Sequence, residues 1–467
     1  MGPGCESLHG CLRHRRRGVA FGPMPPSGPM LLPDQPPFNL RARILTPLAA
    51  GGHRFEADGL ITVDAAGRIT SIGPFAETPG LGPVVDVRPW LVLPGLVDLH
   101  VHLPQVPHAG LGFGTPLLDW LRRYVFPLEH DFTEAVAQVV APAVYRGFAA
   151  AGTTTALMYG AVYEPSLDAA FRAAEAHGIR AVIGKVMMDR LTYDETLRPS
   201  EVLDLSLRQS ADLCDRWHMR DDGRLRYAFT PRFAVSCSPE MLRESAALAK
   251  AKGAYWQTHL AEDRAEIAEV ARLFPGARDY LDVYDQAGGL GPRTILAHAI
   301  HRSDREVTRL AESGSHLAHC PASNLFLSSG IMPLGRYLEA GVSVGLGSDV
   351  AGGPDLSLFG AMRVGGYVQN ALKVATGDHR PILDPFAWLR MASFDGARSL
   401  GLEDAIGSIE AGKEADLIVV DTARTAPPAA PTLDDPAEIL STLIFRSHPE
   451  MVRGAWVRGR RLDGPPG

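Results

Sequence analysis

Residues 94–102 read PGLVDLHVH, a short apolar run that ends in two histidines. Side chains alternate between the two faces of a β-strand, so His100 and His102 should point to the same side. Two imidazoles on one side of a strand can bind the same metal ion. The chain has 16 histidines, so such a pair is weak evidence for a metal site until other candidate ligands join it.

The same pattern recurs along the chain: an apolar run, then polar or glycine residues, then a helical stretch. We count eight such runs, at 95–102, 152–160, 179–188, 225–233, 254–262, 293–299, 315–324 and 342–349. Eight strand-and-helix units predict an α/β fold, a TIM-like (β/α)8 barrel over residues 93–402. Two of the helices have explicit ends. The Ser-Pro pair at 238–239 begins one that Gly253 ends, and a capping box at 303–306 begins another that ends before Gly314.

The two ends of the chain differ from this middle part. Alternating segments within residues 38–92 and 403–467 predict antiparallel strands. We expect both ends to form one small flanking β-sandwich domain. Residues 1–37 are rich in Gly, Pro and Arg and lack the apolar core of a secretory signal, so they are predicted to be a disordered N-terminal extension.

The composition indicates a globular protein that acts on a small molecule. Of 467 residues, 46% are hydrophobic and 21% are charged, which is enough to bury a sizeable core. The net charge of -7 argues against nucleic acid or an anionic membrane as a partner, because either needs a basic surface. The chain has no run of about 18 apolar residues, so the sequence predicts no membrane-spanning helix. Five widely spaced cysteines, an odd number, are typical of a reducing compartment, so we expect a cytoplasmic protein.

Three further candidate ligands stand at the ends of other predicted strands. His259 ends the fifth run, His298 the sixth and Asp349 the eighth. The carboxyl ends of barrel strands gather at one face, where the chemistry of these folds takes place. Imidazole and carboxylate ligands with an open position for water are typical of zinc. The sequence therefore predicts a zinc-dependent hydrolase in which Asp349 is both a ligand and a base.

Glu262, three residues after His259, is a candidate proton shuttle. An unliganded Glu beside a metal site can take a proton from water and pass it to a nitrogen of the substrate. The alternative is a structural role, because the helix dipole favours Glu in the first turn of a helix. His316 and His319 lie on the seventh run, where no further ligand is required, and they are expected to support the site or to pack.

Six longer motifs add a more specific signal. They are PGLVDLHVHLPQ (94–105), LLDWLRRYVFPLEHDF (117–132), FTPRFAVSCS (229–238), THLAEDRAE (258–266), AHCPASNLFLSSG (318–330) and GLGSDVAGG (345–353). Together they resemble the guanine deaminases of the amidohydrolase superfamily, over about residues 40–465. The resemblance implies a barrel with a flanking β-sandwich, one zinc ion per subunit, a homodimer, and the hydrolysis of guanine to xanthine and ammonia.

The resemblance also implies roles for individual residues. The implied set is zinc ligands His100, His102, His259 and Asp349, catalytic residues Glu262, Asp349 and His298, and substrate-binding residues Gln105, Arg232, Phe233 and His298. A guanidinium can donate to a carbonyl at the six position, whereas a 6-amino group could not accept from it. Arg232 is therefore expected to select an oxo purine. Without the resemblance, Arg232 would be interpreted as a surface or ion-pair residue and Phe233 as core.

The chain departs from the family pattern at Leu99, Ala322 and Ser348, none of which removes a ligand. These changes leave the selectivity among related substrates open, because residues around a site alter affinity without abolishing its chemistry. The LLDWLRRYVFPLEH segment is long enough to be a lid. Two roles are open for Trp120 and Phe126 in this segment. Either residue could contact the ligand, or both could belong to an apolar clamp that holds the loop.

Three alternatives stay open at this point. The first is a related enzyme acting on another amino-substituted heterocycle, such as a pterin, an oxidised purine, S-adenosylhomocysteine or a triazine. The second is a hydrolase with two metals bridged by a carbamylated lysine, for which Lys185 is available. The third is a barrel that binds partners without catalysis, although binding alone needs no proton shuttle. Iron in place of zinc is a further possibility.

Overall fold

The computed structural model describes residues 31–77, 81–191, 197–377 and 379–464. The described chain forms two sheets, one in the predicted barrel and one built from both chain ends. The strands are β1 (Phe38–Pro47), β2 (His53–Val63), β3 (Ile69–Pro74), β4 (Val84–Pro94), β5 (Leu96–His102), β6 (Thr153–Tyr159), β7 (Arg180–Gly184), β8 (Val186–Met187), β9 (Leu225–Pro231), β10 (Tyr255–Leu260), β11 (Thr294–His298), β12 (His316–His319), β13 (Ser343–Leu346), β14 (Leu417–Val420), β15 (Val452–Val457) and β16 (Arg460–Arg461).

All eight predicted barrel strands are present. Their order in the sheet is β5-β6-β7-β9-β10-β11-β12-β13, and the two-residue strand β8 pairs beside β9. Every ladder within this sheet is parallel. The predicted (β/α)8 fold is therefore confirmed, and the carboxyl ends of its strands meet at one face.

The first and last barrel strands are joined by hydrogen bonds near the predicted ligands. The main-chain N–H of Asp349 donates to the carbonyl oxygen of His100 at 2.8 Å. The carboxylate of Asp98 accepts from the N–H of His100 at 3.1 Å and from the N–H of Ser348 at 3.0 Å. One buried side chain thus holds both edges of the barrel where the ligands lie.

The described chain contains sixteen α-helices, most of which follow barrel strands and lie outside the sheet. They are α1 (Leu117–Trp120), α2 (Phe126–His130), α3 (Glu134–Ala151), α4 (Glu164–His177), α5 (Pro199–Trp217), α6 (Arg220–Gly223), α7 (Pro239–Lys252), α8 (Arg264–Leu273), α9 (Tyr280–Gln286), α10 (Asp304–Ser313), α11 (Pro321–Phe326), α12 (Leu334–Glu339), α13 (Leu358–Thr376), α14 (Pro385–Arg390), α15 (Gly396–Ser399) and α16 (Pro436–Phe445). A π-helical turn, Leu121–Val125, links α1 to α2. Within the described ranges, none of these helices combines the length and the apolar character that a membrane crossing requires.

The two helix ends that the sequence marked are confirmed. The hydroxyl of Ser238 accepts from the N–H of Met241 at 3.0 Å at the start of α7, and Gly253 ends that helix with a φ of 62°. Ser303 and Glu306 form the predicted capping box of α10, which Gly314 ends. Glycine suits both ends because the left-handed conformation is strained for residues with a Cβ atom.

The flanking sheet has the order β16-β15-β14-β4-β1-β2-β3, so its strands come from both chain ends as predicted. Alternate residues of β14 serve two cores. Leu417 and Val419 pack in the core of the flanking domain, whereas Ile418 and Val420 pack in the core shared with the barrel. The sheet therefore covers its own core with one face and docks on the barrel with the other.

The predicted disordered extension, residues 1–37, lies outside the described residues as far as position 30. The described remainder packs against the flanking sheet, contrary to that prediction. Leu32 is buried, and the carbonyl oxygen of Pro33 accepts from the indole N–H of Trp456 at 2.7 Å. The main-chain N–H of Arg461 donates to Asp34 at 3.0 Å. The reason is that these few residues find apolar and hydrogen-bonding partners on the C-terminal strands, which no local pattern reveals.

Candidate metal centre and active site

Five side chains meet at the carboxyl end of the barrel. The strand β5 supplies His100 and His102, β10 supplies His259, β11 supplies His298, and the turn after β13 supplies Asp349. The Nε2 atoms of His102 and His259 lie 3.1 Å apart. The carboxylate of Asp349 lies 3.2 Å from His100 Nε2 and 3.7 Å from His298 Nε2. The structure therefore brings all the predicted ligands together around one point.

The donor atoms of this cluster fit a metal ion. Its residues form two overlapping groups of three, and in each group the ligand atoms lie within 4.8 Å of one another. The first group is His100, His102 and His259, and the second is His100, His298 and Asp349. Buried polar atoms normally have a partner, yet Nε2 of His100 and Nε2 of His298 have no hydrogen bond within the described structure. A divalent cation that accepts nitrogen and oxygen ligands would satisfy these atoms together.

The protonation states of the cluster also suit a metal. Burial lowers the pKa of His100 and holds the pKa values of His102 and His259 well below the ordinary value, which favours neutral imidazole, the form that binds metals. Burial by itself would raise the pKa of Asp349, but His100 and His298 outweigh it and lower that pKa to about 2. The carboxylate is therefore ionised at neutral pH.

The outer nitrogen atoms of two of these histidines are held by hydrogen bonds. His259 Nδ1 lies 2.6 Å from the carbonyl oxygen of Arg232, and His298 Nδ1 lies 2.9 Å from the side-chain oxygen of Asn324. Since both partners are acceptors, each Nδ1 carries a proton, and the Nε2 of His259 is left to present a lone pair to the centre. The orientation of the rings is thus set before any ligand binds.

Glu262 lies beside the cluster, where a proton shuttle would have to be. It is 2% exposed, and its Oε2 is 3.4 Å from His298 Nε2. The hydroxyl of Ser329 donates to its Oε1 at 3.1 Å. Burial raises the pKa of Glu262 to about 7, although the neighbouring His298 opposes this shift. A carboxyl with that pKa can both accept and donate a proton near neutral pH.

The backbone of the site is unusual at the same positions. Ala261, His298 and Asp349 all have positive φ values, of 48°, 71° and 49°. Residues other than glycine rarely adopt this left-handed conformation, and such outliers concentrate at functional sites. The strand ends therefore turn sharply at the residues that carry the ligands and the proton shuttle.

A narrow cavity opens on the cluster. Its walls include Gln105, Arg232, Phe233 and His298, the four residues expected to hold a purine. The Phe233 ring centre is 6.4 Å from that of His259. The sequence motifs for substrate binding thus lie on the same cavity as Glu262.

The helical segment after β5 covers this cavity. Three of its residues line the cavity: Leu117, Trp120 and Leu121. Trp120 is therefore placed where it could contact a ligand, which is one of the two roles considered for it from the sequence. Phe126 instead lies against the guanidinium of Arg232, whose carbon is 5.5 Å from the ring centre. The segment therefore forms an apolar cover over the site.

The sequence interpretation missed a buried carboxylate in the same segment. Glu129 is 0% exposed and accepts from Gln105 Nε2 at 2.7 Å and from an Arg232 guanidinium N–H at 2.5 Å. The sequence feature that could have revealed it is the LEH triplet at 128–130, which the sequence pattern alone indicates only as part of a lid. Asn324 and Ser329, which hold His298 and Glu262, lie in the AHCPASNLFLSSG motif and were likewise not assigned.

Two histidines and one lysine take no part in the cluster. His316 Nε2 lies 3.2 Å from the carbonyl oxygen of Pro292, and His319 is buried with its ring centre 6.4 Å from that of Trp388. Lys185 donates to the Ser206 hydroxyl at 3.1 Å, in the helix layer. The alternative with a carbamylated Lys185 bridging two metals is therefore wrong, because its side chain points away from the ligands.

Comparison with known proteins agrees with this geometry. Residues 91–462 match the amidohydrolase family. The probable guanine deaminase of Deinococcus radiodurans is 39% identical over 371 residues, which are 78% of this chain and 82% of that protein. A guanine deaminase of C. acetobutylicum, solved with guanine bound in the active site, has a TM-score of 0.84 and 27% identity, covering 91% of this chain and 99% of that one.

A third relative was solved with bound zinc. It is an adenosine deaminase of Xanthomonas campestris, with a TM-score of 0.78 and 26% identity over 92% of this chain and 93% of that one. The match to the family model covers most of the chain, and the guanine deaminase of Deinococcus radiodurans is matched over more than two thirds of its own length. The chain therefore belongs to the amidohydrolase family of metal-dependent hydrolases and, within that family, to the guanine deaminases.

Proposed function

We propose that this protein hydrolyses guanine to xanthine and ammonia. The observation that carries the proposal is the composition of one cavity, in which a buried Glu262 next to the His and Asp cluster faces Arg232 and Gln105. Glu262 and the cluster suit hydrolysis of an amino-substituted ring, and Arg232 with Gln105 suits a ring that carries both an oxo group and N–H groups. The relatives named above support the choice of guanine.

A single zinc ion per subunit, held by His100, His102, His259 and Asp349, is the cofactor we propose. The neutral imidazoles and ionised carboxylate support this choice, and iron is the alternative to be tested. When bound, such an ion supplies Lewis-acid activation of water at neutral pH. The remaining chemistry falls to residues of the chain.

Glu262 moves the protons in the proposed reaction. Its carboxylate takes a proton from the attacking water as the water oxygen bonds to the two-position carbon of the ring, and it passes this proton to the adjacent ring nitrogen. A second proton follows the same route to the amino group, the bond between carbon and that nitrogen breaks, and ammonia leaves. The pKa of about 7 suits both directions of transfer.

His298 and Asp349 support the tetrahedral stage of this reaction. The His298 ring lies between the two carboxylates, 3.4 Å from Glu262 and 3.7 Å from Asp349. These carboxylates outweigh the effect of burial and raise the pKa of His298, so its Nε2 can hold a proton next to the developing oxygen. Asp349, ionised at neutral pH, acts as an assisting base: its carboxylate accepts a hydrogen bond from the water that Glu262 deprotonates.

The purine is held by the opposite wall of the cavity. Arg232 donates to the six-position oxygen, Gln105 bonds a ring N–H, and Phe233 contacts the ring face, with His298 at the reacting edge. Stacking and a few directed hydrogen bonds are the usual means by which a cavity fixes a flat heterocycle. This arrangement directs the amino-bearing carbon toward the cluster.

One assay with metal analysis on the same sample tests the proposal. Purified protein should convert guanine to xanthine, followed by ultraviolet absorbance, and should contain one zinc per chain. His100→Ala should lose metal and activity together, whereas His316→Ala, at a histidine outside the cluster, should keep both. Zinc-loaded protein that turns over a pterin or a triazine but not guanine would contradict it.

We further propose that residues 93–402 form the catalytic barrel, with 38–92 and 403–467 as the flanking domain, in a cytoplasmic homodimer. The three described cysteines, Cys214, Cys237 and Cys320, are free and buried, which suits a reducing compartment. Light scattering of the purified protein tests the dimer. A mass near 50.2 kDa would indicate a monomer instead.

A further inference from the structure

Glu129 contacts Gln105 and Arg232, the two polar residues of the proposed substrate wall. Its carboxylate, at 0% exposure on α2, accepts from Gln105 through Oε1 and from Arg232 through Oε2. Gln105 follows β5 and Arg232 follows β9, so one carboxylate from the covering segment joins side chains from two different strand ends. Both of its partners line the cavity.

The carboxylate decides which atom Gln105 presents to a ligand. An ionised carboxylate only accepts hydrogen bonds, so the amide of Gln105 must turn its NH2 group toward Glu129. The amide oxygen is then on the other side, 3.4 Å from the N–H of Ala351. This oxygen is the atom that remains to accept from a ring N–H, and a flipped amide would offer a donor there instead.

The same carboxylate fixes Arg232. Removing a guanidinium from water is unfavourable unless a negative charge and hydrogen bonds replace the solvent, and Glu129 supplies both at 2.5 Å. A guanidinium has five N–H donors in one plane, so the hydrogen bond that its Nη1 donates to Glu129 constrains the direction of the others. The ring of Phe126 packs against the same group and restricts it further.

We propose that Glu129 is a positioning residue that sets the substrate selectivity of the enzyme. It holds Gln105 as an acceptor and Arg232 as a donor on one wall, a pattern complementary to a purine with a ring N–H and an oxo group. A purine with an amino group at the six position would face Arg232 with a second donor. The inference rests on the proposed function, since it concerns recognition of the same substrate.

The test compares two substrates that share the 2-amino leaving group and differ at position six, guanine and 2,6-diaminopurine. In Glu129→Gln, the new amide must accept from Arg232 with its oxygen, so its NH2 group faces Gln105. Gln105 would then turn its oxygen away from the cavity and present a donor. We expect kcat/KM for guanine to fall about 100-fold, as small misplacements of substrate do, while that for 2,6-diaminopurine falls far less.

The exchange variant Gln105→Glu/Glu129→Gln provides the decisive control. Its Glu at position 105 accepts from the amide at position 129 and presents an oxygen to the cavity, and the net charge of the pair is unchanged. The ratio of kcat/KM for guanine to that for 2,6-diaminopurine should return toward the wild-type value. Glu134→Gln, which removes an exposed carboxylate at the start of α3, should leave the ratio unchanged.

Partial loss of folded protein does not change the readout, because a smaller active fraction lowers kcat/KM for both substrates equally and leaves their ratio the same. Metal content is measured on every variant. Should Glu129→Gln give no soluble protein, Glu129→Asp keeps the charge but is too short to reach both partners, and it should lower the ratio in the same direction. An equal loss for both substrates, or a ratio that the exchange does not restore, overturns the positioning role alone. A wild-type protein inactive on guanine overturns the proposed function as well.

Discussion

His259 Nδ1 and the carbonyl oxygen of Arg232 lie 2.6 Å apart, so the residue proposed to hold the substrate with its side chain also orients a proposed metal ligand with its main chain. The hydrogen bond fixes the imidazole so that Nε2 faces the other histidines. In the proposed function, metal binding and substrate recognition therefore depend on the same residue through different atoms. Substitutions of the Arg232 side chain should separate the two.

The variant Arg232→Lys tests this separation. Lysine keeps a positive charge but is a single-point donor and cannot reproduce the fork of a guanidinium, so we expect kcat/KM for guanine to fall about 100-fold. The main-chain oxygen is unchanged, so the zinc content should equal that of the wild type. Metal analysis beside the steady-state assay checks both. Loss of metal from Arg232→Lys would show that the side chain also supports the cluster.

Glu262→Gln should abolish proton transfer and leave the metal in place. The amide keeps the shape of the side chain but cannot carry a proton between water and substrate, and general acid-base catalysis of this kind contributes about 10²–10⁴-fold to the rate. We expect kcat to fall by that range with one zinc retained per chain. Glu312→Gln, at an exposed carboxylate on α10, is the matched control. Turnover above a tenth of the wild-type rate in Glu262→Gln would assign the shuttle to another group.

Asp98 should matter for stability because it joins the first and last barrel strands. Removing its carboxylate leaves the N–H groups of His100 and Ser348 buried without this acceptor, at a cost of about 1–3 kcal/mol each. Asp98→Ala should therefore lower the midpoint of urea unfolding clearly. Asp98→Asn keeps an oxygen at the same place, so its urea midpoint should fall much less than that of Asp98→Ala. Equal destabilisation of the two variants would mean that the charge, rather than the acceptor, holds the seam.

Lys185 predicts a pH-dependent stability that is independent of the active site. Burial lowers its pKa from 10.5 to about 7, so the folded protein releases this proton at lower pH than the unfolded chain does. Between about pH 7 and 10 the unfolded state therefore binds more protons, and the free energy of unfolding should rise with pH, by about 1.4 kcal/mol per pH unit at most. Below pH 7 both states are protonated and this contribution is constant.

Unfolding of Lys185→Met beside the wild type, both loaded with zinc, measures this effect. Methionine has a similar length and no titrating group. The unfolding midpoint of the Lys185→Met variant should therefore lie above that of the wild type at pH 7, and the difference between the two midpoints should narrow toward pH 10. A difference between the two proteins that stays constant across this range would show that Lys185 does not titrate as its burial indicates.

The strands and the ligand cluster could be predicted because each depends on a local pattern. Eight short apolar runs specify eight parallel strands, and such strands bring their carboxyl ends to one face, so His259 and Asp349 could be expected together despite their distance in sequence. The capping residues of α7 and α10 were equally explicit. Proposals for the fold and for the ligands therefore needed no long-range information.

Glu129 could not be predicted because its role depends on partners 24 and 103 residues away. It lies on a five-residue helix after a π-helical turn, a segment without clear periodicity, so nothing local showed that its side chain would be buried. The packing of residues 31–37 was missed for a similar reason, since Trp456 and Arg461 lie at the opposite end of the chain. Long-range contacts of isolated side chains leave no periodic signal.

The hydrogen bond between Asp98 and Ser348 spans 250 positions of the chain. During synthesis the ribosome releases all four imidazoles before it releases the closing strand and Asp349. A nascent chain that ends at β12 thus has most of the ligands on an open sheet, whose edges expose unpaired backbone groups. We therefore expect capture of the proposed metal ion to be a late event in biogenesis, and truncation just before β13 should yield a product that neither retains metal nor stays soluble.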